Sequence, residues 1–317
     1  MFTMKSQKTL GAASGLIAAA TILVTPVFAQ SPTGLAAAPL NIVNVQFIEE
    51  DGGSARINFA GKLRMLSQRI PAAACNLNAG VAPDESEAVL NGAVAEFDRI
   101  LAALEFGDDA LGIFGAEERR KTRRIIEELH TRLDPLKAAL VDTSEGVPTD
   151  ASIQVVADGN SEVLEVAVML VSQLAGQYAN QAELLQSDAI TIDIAGRQRM
   201  LTQKVSKEVC LIMSDVNADA ARETIGGTIR MFESSLDALR NGNQAVGILP
   251  PRSDEISVGL DNVHTNWMAL KAHLDTIQSG GAIDEEARAV VFLGLNATMA
   301  EMNRVVGLYS EQSKLGL

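Results

Sequence analysis

Two arginines, Arg64 and Arg199, occupy the same place in two copies of one ten-residue motif. The first copy reads AGKLRMLSQR at 60–69, and the second reads AGRQRMLTQK at 195–204. A guanidinium brought to a helix–helix contact needs an anion, and its fork of N–H donors matches the oxygens of an oxyanion. The pair is therefore a candidate site for a small anion. A glycine and a second cation beside each arginine complete the candidate site: Gly61, Gly196, Lys62 and Arg197.

The repeat extends well beyond the motif. Cys75 and Cys210 are separated by 135 residues, and Phe97 and Phe232 share that offset. A fixed period over many positions means that the chain holds two copies of one structural unit. A site built from the motif therefore exists twice, or is shared between the two copies.

On a helical wheel the motif has one apolar face and one unusual face. At about 100° per residue, one narrow stripe of the first copy is entirely apolar: Phe59, Leu63, Leu66, Ile70, Ala73 and Leu77. This stripe should pack into its own bundle. The opposite face carries small and polar residues in both copies: Gly61, Arg64, Gln68 and Cys75, then Gly196, Arg199, Gln203 and Cys210. Small residues on a helix face permit the close approach of a second helix.

Two interpretations of this second face are open from the residues alone. In the first, the two motif helices meet across a pseudo-twofold axis, Arg64 and Arg199 converge, and a bound anion relieves their mutual repulsion. In the second, both arginines are surface residues paired with nearby carboxylates. Four further cations add local positive charge in a chain whose net charge is −14: Lys62, Arg69, Arg197 and Lys204.

The rest of each copy reads as helices with few strand signals. Aromatic residues make up only 4% of the chain, which is typical of helix bundles. The predicted helices are 55–79, 84–106, 115–142 and 159–186 in the first copy, and 190–215, 217–241, 252–279 and 283–313 in the second. Short connections favour antiparallel neighbours, so we predict an all-α fold of two tandem up-down four-helix bundles, at 55–188 and 189–317. The junction at 186–191 contains no Gly or Pro, so the chain either turns there or continues as one long helix.

The first 29 residues have the pattern of a secretory signal. Two lysines precede an apolar stretch at 10–24, and the residues at 27–29 fit cleavage after Ala29. We therefore expect a signal peptide at 1–29, a connecting segment at 30–54 and a soluble periplasmic product without membrane insertion. The negative net charge argues against nucleic acid or an anionic membrane as a general partner, because both need a basic face.

The two cysteines lie about three turns beyond their arginines on the same helix face. If the motif helices run parallel, the Cys75 and Cys210 thiols can meet as a disulfide, which an oxidising periplasm permits. If residues 186–191 continue the helix, the second motif helix reverses and the thiols separate. Two buried free cysteines are the alternative.

Other clusters carry less chemistry. The three histidines have no metal-ligand spacing with the cysteines, so we expect no metal, and we find no cofactor motif. A basic run lies beside Glu117 and Glu118, and we predict a solvated, ion-paired helix face rather than a docking patch; the run is Arg119, Arg120, Lys121, Arg123 and Arg124. Because no acid–base pair is repeated on the motif face, we do not expect an enzyme.

The motif with its flanking residues resembles that of the PilJ-type domain. The resemblance covers Ile57 to Arg69 and, equally well, Ile192 to Lys204. That domain forms the extracytoplasmic N-terminal part of type IV pilus methyl-accepting chemotaxis transducers. A related motif occurs in the periplasmic domains of nitrate/nitrite sensor kinases, where its arginine contacts the anion at a symmetric subunit interface. The resemblance implies a helical sensory bundle in which Arg64 and Arg199, beside Gly61 and Gly196, take that role.

These observations predict an exported sensory or solute-binding protein. It would bind a small oxyanion, nitrate or nitrite first, between the two motif helices and report to a membrane receptor, sensor kinase or transporter. The alternative is a ligand-independent interaction module. In that case the Gly/Arg/Gln face would dock onto a chemoreceptor, a sensor kinase, a pilus-related partner or another copy of the chain.

Overall fold

Eight α-helices account for most of the residues that the structure, a computed structural model, describes: 52–141, 147–178 and 186–315. The first copy contains α1 (Gly53–Asn78), α2 (Pro83–Phe106), α3 (Arg120–Val141) and α4 (Asp150–Tyr178). The second contains α5 (Gln186–Met213), α6 (Ala218–Asn241), α7 (Asp254–Gln278) and α8 (Glu285–Leu315). This confirms the all-α prediction. The expected signal peptide at 1–29 lies outside the described residues, as does nearly all of the connecting segment at 30–54.

The two copies agree even in their loops. Between α2 and α3 the backbones of Asp108 and Ile113 exchange hydrogen bonds of 2.8 and 3.1 Å, and Asn243 and Ile248 do the same between α6 and α7 at 2.8 and 3.0 Å. The side chains of Asp108 and Asn243 each accept a hydrogen bond from the backbone two residues later. The loop before α3 is therefore an ordered turn, and α3 begins at Arg120 rather than at the predicted 115.

Helix α4 begins at Asp150, nine residues before its predicted start. A Cβ at Gly159 would lie 2.7 Å from the Leu136 side chain, so the glycine lets α3 pack closely against the middle of α4. Gly294 on α8 does the same for Leu270 on α7, where the distance is also 2.7 Å. Close packing, not helix termination, explains this pair of glycines.

The buried apolar side chains of both bundles form one continuous core. The predicted stripe of α1 is buried from Leu63 to Leu77, whereas Phe59 near the start of the helix is only half-buried. In the second bundle the rings of Phe232 and Trp267 pack with centroids 4.0 Å apart. Each fully buried large apolar side chain contributes about 1.5–3 kcal/mol. In the described part of the chain, no helix is long and apolar enough to cross a membrane.

The helix directions decide the question left open at 186–191. Helix α4 is antiparallel to α1, because Gly53 lies against Tyr178 while Asn78 hydrogen-bonds Asp150 at 2.6 Å. Helix α5 is parallel to α1, because the contacts between them advance together along both helices. Helices α4 and α5 therefore run in opposite directions, and residues 186–191 already belong to α5.

Candidate functional site

The two motif helices, α1 and α5, pack side by side, and we call their contact the seam. It joins the face of α1 that carries Gly61, Arg64, Gln68 and Cys75 to the face of α5 that carries Gly196, Arg199, Gln203 and Cys210. The small residues allow the two backbones to come close: the Cα atoms of Cys75 and Cys210 are 6.1 Å apart. The Gly/Arg/Gln face is thus buried between the bundles and is not a surface for docking a partner.

The two guanidinium groups converge on the glycine pair. A Cβ placed on Gly61 would lie 3.6 Å from Nη2 of Arg64 and 3.7 Å from Nη2 of Arg199. A Cβ placed on Gly196 would lie 3.6 and 3.5 Å from the same two atoms. Both arginines therefore reach one spot on the pseudo-twofold axis, and hydrogen in place of a side chain leaves room beside them.

The arginine pair is buried and electrostatically costly. Only 5% of Arg64 and 2% of Arg199 is exposed, so the interpretation as surface arginines is wrong. Burial lowers the pKa of Arg64, an effect that the Asp193 carboxylate opposes. Burial, with repulsion from Arg64, lowers the pKa of Arg199 to about 10, and attraction by the Glu96 carboxylate opposes this in part. A negatively charged group placed beside the pair would stabilise both charged guanidiniums.

The two arginines have different partners. Arg64 donates from Nη2 to Oδ1 of Asp193 at 3.0 Å. Arg199 donates from Nη1 to the neutral Oδ1 of Asn303 on α8 at 2.7 Å. Among the described residues, no carboxylate oxygen lies within 4.0 Å of the Arg199 guanidinium, and the Nε atoms of both arginines are buried without an acceptor. The pair thus has unused donors and one carboxylate in direct contact, that of Asp193, while Glu96 acts on Arg199 from farther away.

Of the four other motif cations, the two proposed for the site are engaged by carboxylates at its edge. Lys62 pairs with Glu96 on α2 at 2.9 Å. Arg197 is exposed and pairs with Oδ2 of Asp193, one helical turn before it. No described contact connects Lys62 or Arg197 with Arg64 or Arg199, so the two residues contribute only local positive charge.

Lys207, which sequence analysis did not single out, ties the second bundle to the first. Its ammonium donates to Oε1 of Gln68 at 2.8 Å and to Oδ1 of Asn160 at 2.6 Å. The repeat places Ala72 and Leu295 at the positions equivalent to Lys207 and Asn160. Gln203, the equivalent of Gln68, accordingly has both amide atoms buried without a partner. Comparing the two copies position by position would have exposed this asymmetry.

Beyond the arginines, the structure brings the two cysteines together. A disulfide joins Cys75 and Cys210 across the seam, as expected if the motif helices run parallel. Ser214 at the end of α5 lies 4.0 Å from Sγ of Cys75 and 3.8 Å from Sγ of Cys210, and it accepts a hydrogen bond from Arg288 at 3.1 Å. The seam is therefore covalently closed at the end away from the start of α1.

The basic run at the start of α3 is solvated but not ion-paired. Its five cations are exposed, and among the described residues none has a carboxylate oxygen within 4.0 Å. Only Arg119 has a described contact, over the ring of Tyr178 at 5.0 Å and with the carbonyl of Gln177 at 3.4 Å. The prediction of an ion-paired face is wrong in this respect, because the neighbouring glutamates bond elsewhere or face solvent.

Comparison with known protein families agrees with the repeat. The family model described as "Type IV pili methyl-accepting chemotaxis transducer N-term" matches residues 47–158 and again residues 182–291. A search of curated proteins gives no match. The two matches cover most of the chain and contain both copies of the motif. The chain therefore belongs to the PilJ family, as a tandem of two copies of this transducer-related sensory domain.

Proposed function

We propose that this protein is a sensory module that binds a small oxyanion, nitrate or nitrite first, between Arg64 and Arg199. It would report occupancy to a membrane receptor, sensor kinase or transporter. The observation that carries the proposal is the convergence of two buried guanidiniums on the glycine pair, Gly61 and Gly196. Two like charges held so close repel each other, and a bound anion would turn that repulsion into two attractions.

The donors suit an oxyanion. Each guanidinium has an Nε–H that is buried without an acceptor, and each directs Nη2 towards the glycine pair. Hydrogen bonds from a charged donor to a charged acceptor are about twice as strong as neutral ones. In a buried site they are screened little by salt. A flat anion with several oxygens can accept from both arginines at once.

Signalling would follow from the position of the site. The anion touches one arginine from each bundle, so it favours the arrangement in which α1 and α5 are closely paired. Helices α1 and α5 both start at one end of the seam, where α4 and α8 end. A change in seam packing therefore alters the relative positions of four helix ends, which a partner protein can read.

The proposed location is the periplasm. It is supported by the secretory pattern at 1–29 and by the cystine at the seam, since disulfides persist in oxidising compartments.

The test is a thermal-unfolding titration with nitrate and nitrite. The only other anion in the buffer should be too large to compete for the site. We expect a saturable rise in Tm for the wild type. In Arg64→Ala/Arg199→Ala the rise should vanish, whereas the control Arg123→Ala/Arg230→Ala, which removes two exposed arginines, should keep it. Calorimetric titration of Arg199→Gln, which retains a polar side chain, separates lost binding from lost folding. An unchanged affinity in Arg199→Gln would refute the proposal.

A second candidate function is docking of an acidic partner on the basic run of α3. The observation that favours it is that all five cations are exposed and without a described carboxylate partner, in a chain of net charge −14. The equivalent start of α7 is acidic, with Asp254 and Glu255. The two functions are compatible, because the run lies on the surface of the first bundle and not in the seam.

A further inference from the structure

The charges around the arginine pair do not cancel. Asp193 gives one oxygen to Arg64 and the other to Arg197. By the 135-residue repeat, the position that would supply the same carboxylate to Arg199 is Asn58, a neutral amide. Its Oδ1 is buried without a partner. The pseudo-twofold axis is therefore broken in charge: two buried guanidiniums share one adjacent carboxylate.

One positive charge is left over at the centre of the seam. Glu96 pairs with Lys62 and also attracts Arg199 from beyond ion-pair distance, so this one carboxylate serves two cations, and Arg197 is exposed to solvent. Arg199 is 2% exposed and relies on the neutral Asn303. An unbalanced buried charge is unfavourable, and a ligand of single opposite charge removes the imbalance. A ligand of double charge would replace it with an imbalance of opposite sign.

We propose that Asp193 and Asn58 together set the charge of the ligand, so that the site selects singly charged anions over doubly charged ones. Asp193 is the counterion of Arg64, whereas the neutral Asn58 provides no counterion for Arg199. This inference rests on the proposed function, since it concerns the same anion site. It predicts that each side chain changes anion binding in a direction set by charge alone.

Two isosteric variants test it by calorimetric titration with nitrate and sulfate at equal ionic strength. In the wild type, nitrate should bind at least about tenfold more tightly than sulfate. Asp193→Asn leaves both guanidiniums without a carboxylate, so the preference for nitrate over sulfate should fall at least about tenfold. Asn58→Asp supplies the missing counterion to Arg199, so nitrate affinity should fall at least about tenfold while Tm without added anion is kept or raised. Asp219→Asn, at a position on the surface, is the matched control and should change nothing.

The outcomes separate this inference from the proposal beneath it. If the wild type binds nitrate but Asp193→Asn keeps the same nitrate-to-sulfate ratio, charge selection by Asp193 is refuted and the anion site stands. Anion size cannot mask the result, because Asp and Asn fill the same volume. An Asn58→Asp variant that folds and binds nitrate as the wild type does would also overturn the inference. If the wild type binds neither anion, the proposed function itself fails, and this inference with it.

Discussion

The ammonium of Lys207 on α5 donates a hydrogen bond of 2.6 Å to Oδ1 of Asn160 on α4. This contact joins the two bundles about two helical turns beyond Arg199, through a cation whose two described acceptors are neutral amides. Asn160 in turn donates to the backbone carbonyl of Ser67, within the motif, at 2.5 Å. The seam thus contains another cation, half-buried, whose described hydrogen-bond acceptors carry no charge.

The stability of the protein should rise with pH above pH 8. Burial lowers the pKa of Lys207 from 10.5 to about 8 in the folded state. Between these values the unfolded chain binds more protons than the folded one, so the free energy of unfolding increases with pH. The slope for one site is at most about 1.4 kcal/mol per pH unit. Urea denaturation at pH 7, 8, 9 and 10 measures it.

Lys207→Met should remove this rise, whatever its effect on stability at pH 7. Lys121→Met, at an exposed position of α3, provides the control and should retain it. A wild-type stability that is flat or falling from pH 8 to 10 would contradict the assignment of a charged, half-buried Lys207.

Reduction of the disulfide should lower the free energy of unfolding while both bundles stay folded. Cys75 and Cys210 close a loop with a sequence separation of 135, and removing a bridge of this kind typically costs about 2–4 kcal/mol. Urea denaturation with and without dithiothreitol measures the loss. Cys75→Ser/Cys210→Ser should match the reduced wild type and should not respond to the reductant. Equal stability of the oxidised and reduced wild type would show that the cross-link does not stabilise the fold.

The fold was largely predictable because the period of the apolar positions and the internal repeat are direct properties of the residues. The unusual face of the motif left two interpretations open, and the structure agrees with the one in which the motif helices meet, with Gly61 and Gly196 at their contact. The predicted start of α4, at 159, was wrong, because the helix continues through Gly159, and a glycine has the same local signature whether it ends a helix or admits a neighbour. Only the position of Leu136 distinguishes the two cases.

The partners of the candidate site were not predictable in the same way. The difference between Asp193 and Asn58 is visible when the two copies are aligned, but it acquires meaning only when α1 and α5 are known to be parallel. The parallel direction of the two helices places the Asp193 carboxylate beside Arg64 of the other motif helix. Likewise, the side chain that meets Arg199 comes from Asn303, 104 residues away, and no local pattern encodes that pairing.

The basic run of α3 should bind acidic polymers despite the negative charge of the whole chain. We expect the wild type to be retained on poly-glutamate at low salt and released as salt rises, because exposed charges are screened. Substituting alanine for Arg120, Lys121, Arg123 and Arg124 should abolish retention. It should leave the free energy of unfolding within about 1 kcal/mol, since these side chains make no described ion pair. Alanine at the exposed Arg222 and Arg230 is the control, and equal retention of all variants would rule out this surface.

The glycine pair offers the sharpest separation of binding from folding. A Cβ at Gly61 or Gly196 would lie 3.5–3.7 Å from the guanidinium nitrogens, which is ordinary van der Waals contact. Alanine therefore fits, and in a helix interior it is favoured over glycine by about 0.5–1 kcal/mol per position. The added methyl groups, however, occupy the space beside both arginines that the proposed anion needs.

Gly61→Ala/Gly196→Ala should accordingly be as stable as the wild type or more so, while its nitrate affinity falls at least about tenfold. Thermal unfolding without anion measures the first effect, and calorimetric titration measures the second. Gly92→Ala/Gly227→Ala is a suitable control, because a Cβ at these helical positions meets no atom within 4 Å; it should gain stability and retain affinity. A stable Gly61→Ala/Gly196→Ala protein with wild-type affinity would place the anion away from the glycine pair. In that case the small residues would serve only to bring α1 and α5 together.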